Sequence, residues 1–282
     1  MAYNLPARTP FPMPELPEVE TTRLGLLPRV VGQRIRDVVV REPRLRWPVP
    51  RDLASRLRGA SIRGIRRRGK YLLFEVGDGH LLVHLGMSGS LTLVPAGRPA
   101  RRHDHVDIEL GSGDIVRLND PRRFGAMLWV RDPGRHALLA GLGVEPFDEA
   151  FCGEYLHRLS RGRRAPVKSF LMDARVVTGI GNIYANESLF AARIHPSRPA
   201  GRISPGRFER LAGEARATLS RALAAGGSTL RDFVGAGGEP GHFQLEYAVY
   251  GREGEPCPAC GRAVRAGRHA GRASFFCASC QR

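Results

Sequence analysis

The sequence predicts an α+β protein with an antiparallel β-sandwich or barrel in its first half, a helical second half and a short cysteine-bearing end. Three observations predict it. Up to about residue 130, short runs rich in β-branched and aromatic residues alternate with turn-forming residues. From about residue 149, longer stretches read as helices. Two Cys-x-x-Cys pairs stand at the end, Cys257/Cys260 and Cys277/Cys280.

The elements follow in order. Carboxylates at Glu18 and Glu20 precede LGLLPRVVG, which predicts a helix ending near Gly32. The strand runs are RIRDVVV, GKYLLFEV, HLLVHL, SLTLV, HVDIEL, DIVRL and AMLWV, with hairpin-type turns at GDG and GSGD. This region reaches about Val144. FCGEYLHRL, VKSFLMDARVV, IYANESLFAARI and RFERLAGEARATLSRALAAG are expected helices. The third follows the breaker Thr178-Gly179-Ile180-Gly181-Asn182, whose N–H groups at a helix start would suit a phosphate. The glycine-rich stretch from Gly226 to Gly241 is long enough for a functional loop.

The 282 residues suggest about two domains at roughly 150 residues each. No apolar run approaches the ~18 residues of a membrane span. Residues 1–13 lack the apolar run of a signal peptide and are expected to be a tail outside the working protein. The net charge of +17 fits a polyanionic partner, a nucleic acid or an acidic membrane. Of 44 basic residues only Lys70 and Lys168 are lysines, so each is conspicuous. A lysine amine can give up and regain a proton, whereas a guanidinium stays charged.

The four cysteines suit one closed tetrahedral zinc site; two disulfides are the alternative, and the lack of a secretion signal favours zinc. The basic stretch between the pairs, with Arg268, His269 and Arg272, could meet a phosphate backbone. Cys152 is expected to be a buried small residue. HLGMSGS and NDPRRFG put Met87, Arg122 and Phe124 on turns, where they could wedge between unstacked bases.

These stretches resemble the formamidopyrimidine-DNA glycosylase family. PELPEVET, RLRWPV, KYLL, HLGMSGS, HDHVD, DPRRFGA, GIGNIYANESLF, IHP, VYGREGEPC and the four-cysteine ribbon all match, from Pro14 to Gln281. The resemblance implies a β-sandwich flanked by helices, a helix–two-turns–helix domain and a zinc finger, bounded here as 14–146, 147–236 and 237–282. It implies excision of oxidised purines from double-stranded DNA, an abasic-site lyase activity by β,δ-elimination, one structural zinc, and a monomer in the bacterial cytoplasm. Pro14 would be the nucleophile once Met13 and all before it are absent, because a prolyl amide has no free lone pair. Glu15 would be the acid, Lys70 would assist β-elimination, and Arg272 would serve δ-elimination and phosphate binding. Met87, Arg122 and Phe124 would fill the gap left by the flipped base. His103, Arg163, Asn182, His84 and Tyr250 would contact DNA, and Lys168 would lie near the lesion pocket. The loop within 226–241 would cover the flipped base. Leu245 replaces a polar residue of the family pattern.

Overall fold

The computed structural model describes residues 13–228 and 242–282. The tail of residues 1–12 and most of the glycine-rich loop, 229–241, lie outside the described residues. The elements run α1 (Leu16–Val30), β1 (Ile35–Val40), α2 (Leu53–Leu57), β2 (Ile62–Arg68), β3 (Tyr71–Val76), β4 (Gly79–His84), β5 (Ser90–Val94), β6 (Asp104–Leu110), β7 (Ile115–Asn119) and β8 (Ala126–Val130). There follow α3 (Ala137–Ala140), α4 (Gly153–Ser160), α5 (Val167–Leu171), α6 (Asn182–Ala191), α7 (Pro205–Ala224), β9 (Arg265–His269) and β10 (Arg272–Phe276).

The strands form two four-stranded sheets, β1-β6-β7-β5 and β2-β3-β4-β8, antiparallel throughout. Of the two alternatives, this is the sandwich. YLLFEV in β3 is almost continuously apolar because both of its faces are covered. Leu72, Phe74 and Val76 enter the main core, while Leu73 packs outward with Leu82, Val130 and Leu139 beside α3. The main core continues from the sandwich through α1 into α6 and α7, joining Val19, Leu26 and Leu81 to Tyr184, Leu189 and Phe208.

Three readings of the sequence change. IRGIRRR is not among the expected strands, yet it forms β2. Only Ile62 and Ile65 of it are buried, and its place in the sheet comes from the ladder to β3. VKSFLMDARVV is helical only to Leu171. Asp173 then turns the chain, with its carbonyl accepting from Val176 (2.8 Å) and Val177 (3.2 Å), and Thr178 N–H donates to Val144 (3.0 Å). Glycine and lysine at the head of GKYLLFEV are likewise turn rather than strand.

Candidate active site

Pro14 and Glu15 are buried at the start of α1. The turn before α6 closes over them, with Leu16 N–H donating to the Gly179 carbonyl (3.1 Å). Gly179 has φ +92°, and a Cβ there would stand 2.7 Å from Leu16 Cδ1. The Glu15 carboxylate accepts N–H bonds from Gly181 (2.6 Å) and Ile183 (2.9 Å) at the N-terminus of α6. The anion-receptive turn is therefore real, but this protein's own carboxylate fills it. At its mouth the Asn182 side chain remains, with a buried Oδ1 that has no hydrogen-bond partner among the described residues. Burial raises the Glu15 pKa, the nearby Lys70 charge lowers it and Glu18 raises it; the net direction is upward. A carboxyl held up in this way can keep a proton for use as an acid.

Lys70 follows Gly69, whose φ is +58° and whose absent Cβ would collide with Thr178 Oγ1. Glu145 braces this turn. It accepts from Gly69 N–H (2.6 Å) and pairs with Arg67 (2.6 Å) and Arg68 (3.0 Å). Burial lowers the Lys70 pKa; Glu15 and Glu18 oppose the shift, and Arg272 adds to it. A Cβ on residue 181 would collide with Glu15 Cδ and sit 2.6 Å from Lys70 Nζ. Acid and amine thus meet over a glycine that leaves no room for a methyl group. Gly181→Ala is expected to lower base excision by ~10²-fold or more, since it displaces a general acid. Wild-type excision kinetics in a folded Gly181→Ala protein would show that the convergence is not functional.

Further members come from the second half, and His84 from β4. Arg272 is exposed at the start of β10, and its charge lowers the pKa of Lys70 and Lys168. Asn186 Oδ1 accepts from Phe275 N–H (2.9 Å) and so ties β10 to α6. Glu187 accepts from the backbone N–H groups of Ala248 (2.9 Å), Val249 (3.1 Å) and Tyr250 (2.7 Å). This seats Tyr250 beside Asn182. Lys168 is 1% exposed, and its amine donates to the Ala273 carbonyl and to Ser274 Oγ (2.8 Å). It stands behind β10, not in an open pocket. Burial first, then Arg272, brings its pKa to about 8 against the pull of Glu15. His84 packs on Tyr71 at 4.7 Å and accepts from Gly86 N–H (3.0 Å). Burial, then Lys70 and Arg46, lowers its pKa to about 4, so it is neutral at neutral pH.

The three wedge residues share one corner of the sandwich. Gly86 (φ +66°) lies so close to the facing turn that a Cβ would collide with the Phe124 carbonyl carbon. Asp120, fully buried, accepts from Ser88 Oγ (3.1 Å) and Gly125 N–H (2.8 Å), while Arg122 N–H donates to Ser88 Oγ (3.3 Å). Asp120 and Ser88 therefore clasp the Met87 turn to the Arg122–Phe124 turn. The Arg122 guanidinium lies 5.0 Å from the centre of the Phe124 ring, which is 41% exposed. His103 borders this corner through its carbonyl, which accepts from Asp120 N–H (3.0 Å). Arg163 lies on the helical half, over Phe170 at 5.4 Å. Leu245 is 81% exposed.

Glu18 is visible in the sequence only as a helix-start carboxylate. It is buried and accepts from Glu15 N–H (2.9 Å), Tyr184 OH (2.7 Å) and Ser228 N–H (2.8 Å). It thereby joins α1, α6 and the base of the glycine-rich loop.

The ligand atoms of Cys257, Cys260, Cys277 and Cys280 all lie within 4.8 Å of one another. Sγ separations of 3.9 Å (Cys257–Cys280) and 3.5 Å (Cys260–Cys277) rule out S–S bonds of ~2.05 Å. They match the ~3.8 Å edges of a tetrahedron with Zn–S bonds of ~2.3 Å. Zinc is thus bound by four thiolates, which leaves it no open position and makes it structural. Gln281 fastens the knuckle, accepting from Cys277 N–H (2.9 Å) and donating to the Ile194 carbonyl (2.9 Å).

Comparisons with known proteins agree with this architecture. Three family models match, described as formamidopyrimidine-DNA glycosylase N-terminal domain (residues 13–127), formamidopyrimidine-DNA glycosylase H2TH domain (142–234) and zinc finger found in FPG and IleRS (254–282). The chain is 58% identical over 270 residues to the formamidopyrimidine-DNA glycosylase of Stutzerimonas stutzeri, covering 96% of this chain and 100% of that protein. It is 56% identical over 271 residues to that of Xanthomonas oryzae pv. oryzae, with the same coverage. Among solved structures, the MutM (Fpg) protein of Thermus thermophilus aligns with a TM-score of 0.85 and 42% identity over 95% of this chain and 98% of that one. The Lactococcus lactis Fpg in complex with abasic-site DNA aligns with a TM-score of 0.88 and 34% identity over 95% and 99%.

Proposed function

The chain belongs to the formamidopyrimidine-DNA glycosylase family, and on that premise we propose that Pro14, Glu15 and Lys70 carry its chemistry. It is a base-excision-repair DNA glycosylase for oxidised purines with abasic-site lyase activity. The observation that carries the residue assignment is the meeting of Glu15 and Lys70 over Gly181, directly beside Pro14.

The Pro14 amine attacks C1′ of the damaged nucleoside, the glycosidic bond breaks, and the base leaves with a proton. Glu15 donates a proton to the opening sugar, and the amine becomes an iminium at C1′. The iminium acidifies the C2′ hydrogen. Lys70, its pKa lowered by burial, assists the elimination that expels the 3′ phosphate, and Arg272 serves the second elimination at the 5′ side. This requires a free amine at Pro14, so the working chain begins there; the family match starting at residue 13 supports this start. Met87, Arg122 and Phe124 fill the vacated base position. Asn182, Tyr250, His84, His103 and Arg163 line the path of the duplex, and Lys168 supports β10. Zinc supplies the rigidity of the ribbon that carries Arg272. Among the described residues no helix is long and apolar enough to cross a membrane. From the bacterial relatives we propose a monomer that works on DNA in the cytoplasm.

Borohydride reduction in the presence of a duplex with 8-oxoguanine opposite cytosine tests the assignment. The expected adduct maps to Pro14 by peptide mass; an adduct at Lys70 would transfer the nucleophile's role there. Binding to duplex DNA is expected to depend steeply on salt. If ~5 phosphates are neutralised, log K against log salt slopes at about −4 to −5, and a nearly flat plot would separate the charge of the protein from DNA binding.

A further inference from the structure

A second basic concentration lies away from the active site. α6 and β10 each have one end at the site, at Asn182 and Arg272. Their other ends, Ala191 and Phe276, each lie ~13–14 Å away, from the helical and strand rise per residue. There a cleft of about 630 Å³ opens between the zinc knuckle, the end of α6 and the first turns of α7. Arg193, Arg207, Arg210 and Arg282 line it, with Ser279 between them. Among the described residues, none of these arginines has a carboxylate side chain within ion-pair distance, unlike Arg67, Arg117 or Arg175 elsewhere.

Part of this charge has an internal use. Arg207 Nη2 donates to the Arg193 carbonyl (3.0 Å) and to an oxygen of the terminal carboxylate at Arg282, and Arg210 Nη2 donates to the Ala191 carbonyl (3.2 Å), which caps the end of α6. The side chains of Arg193 and Arg282 are not needed for this, since only their backbone oxygens take part. Burial, then Arg198 and Arg210, lowers the Arg207 pKa, so the cluster repels itself. An anion in the cleft would relieve that repulsion.

We propose that this cleft binds a carboxylate-rich peptide segment of a partner protein. Guanidinium forks match carboxylates two bonds at a time. Single-stranded nucleic acid fits less well, because among the described residues no aromatic side chain lines the cleft for bases to stack on. A duplex held at the active site is a helix length away, so peptide and DNA can be bound together.

The test is fluorescence anisotropy of a labelled hexaglutamate peptide with the zinc-loaded full chain, alone and saturated with abasic-analogue duplex. The expected result is binding in both states. Arg193→Glu/Arg282→Glu is expected to weaken it about tenfold or more, a loss of about 1.4 kcal/mol or more. Excision by this variant should stay unchanged, and so should peptide binding by the control Arg101→Glu/Arg102→Glu on the sandwich. No binding, displacement of the peptide by duplex, or equal affinity in the cleft variant would overturn the proposal. So would loss of DNA binding by the cleft variant, which would make the cleft part of the nucleic-acid surface.

Discussion

Protein beginning at Pro14 is expected to excise 8-oxoguanine and to be trapped by borohydride, while protein that keeps residues 1–13 does neither. In the longer form Pro14 carries an amide, whose lone pair is delocalised into the Met13 carbonyl. A free α-amine titrates near ~7.7–8.0 and is partly unprotonated at neutral pH. Removing a nucleophile costs on the order of 10³-fold or more, so residual activity in the long form should be near background. Both forms would be purified, their N-termini verified by mass, and the trapping run in parallel. A trappable long form with its tail intact would point to Lys70 and remove Pro14 from the mechanism.

The second large effect is expected from the metal. Cys277→Ala, or chelation, should cost DNA binding on the order of 10²-fold, about 2.7 kcal/mol, while the sandwich stays folded. The ribbon hairpin is two strands of five residues and has too little core to stand alone. Its loss would release Arg272 and strip the Lys168 amine of both hydrogen-bond acceptors and of the strand that covers it. The damage should therefore reach α5, visible as faster amide exchange there. Unaltered duplex affinity in zinc-free protein would mean the ribbon is dispensable for binding. Cys152→Ala serves as the control.

What was legible in the sequence divides along physical lines. Periodicity and turn chemistry are local, and they revealed seven strands and the main helices. β2 escaped because IRGIRRR buries only two side chains and takes its conformation from its neighbour. The cysteine spacing was legible because a tetrahedral site imposes it. Lys70 stands out in the composition and Arg272 in the basic stretch between the cysteine pairs, the roles proposed for them and for Pro14 and Glu15 come from the resemblance, and the geometry brings Glu15, Lys70 and Arg272 into electrostatic reach. The supports were not found. Glu145, Asn186 and Glu187 act on backbone groups far along the chain, Asp120 reaches Ser88 Oγ on another turn, and nothing local distinguishes them from solvated carboxylates or amides. The donors of the turn before α6 are plain in the sequence and suggest a seat for phosphate; the carboxylate that takes them is 166 residues away.

That separation has a bearing on how the protein is made. Glu15 leaves the ribosome early, while its hydrogen-bond donors at Gly181 and Ile183 follow 166 and 168 residues later. At typical synthesis speeds the interval is roughly 10–30 s. During it the nascent chain already carries Pro14, the proposed nucleophile. It lacks the turn that holds the neighbouring acid in place and the ribbon that would bring it to DNA. A chain truncated before Gly181 is therefore expected to show no excision, since the turn that holds Glu15 and the ribbon that carries Arg272 are both missing from it.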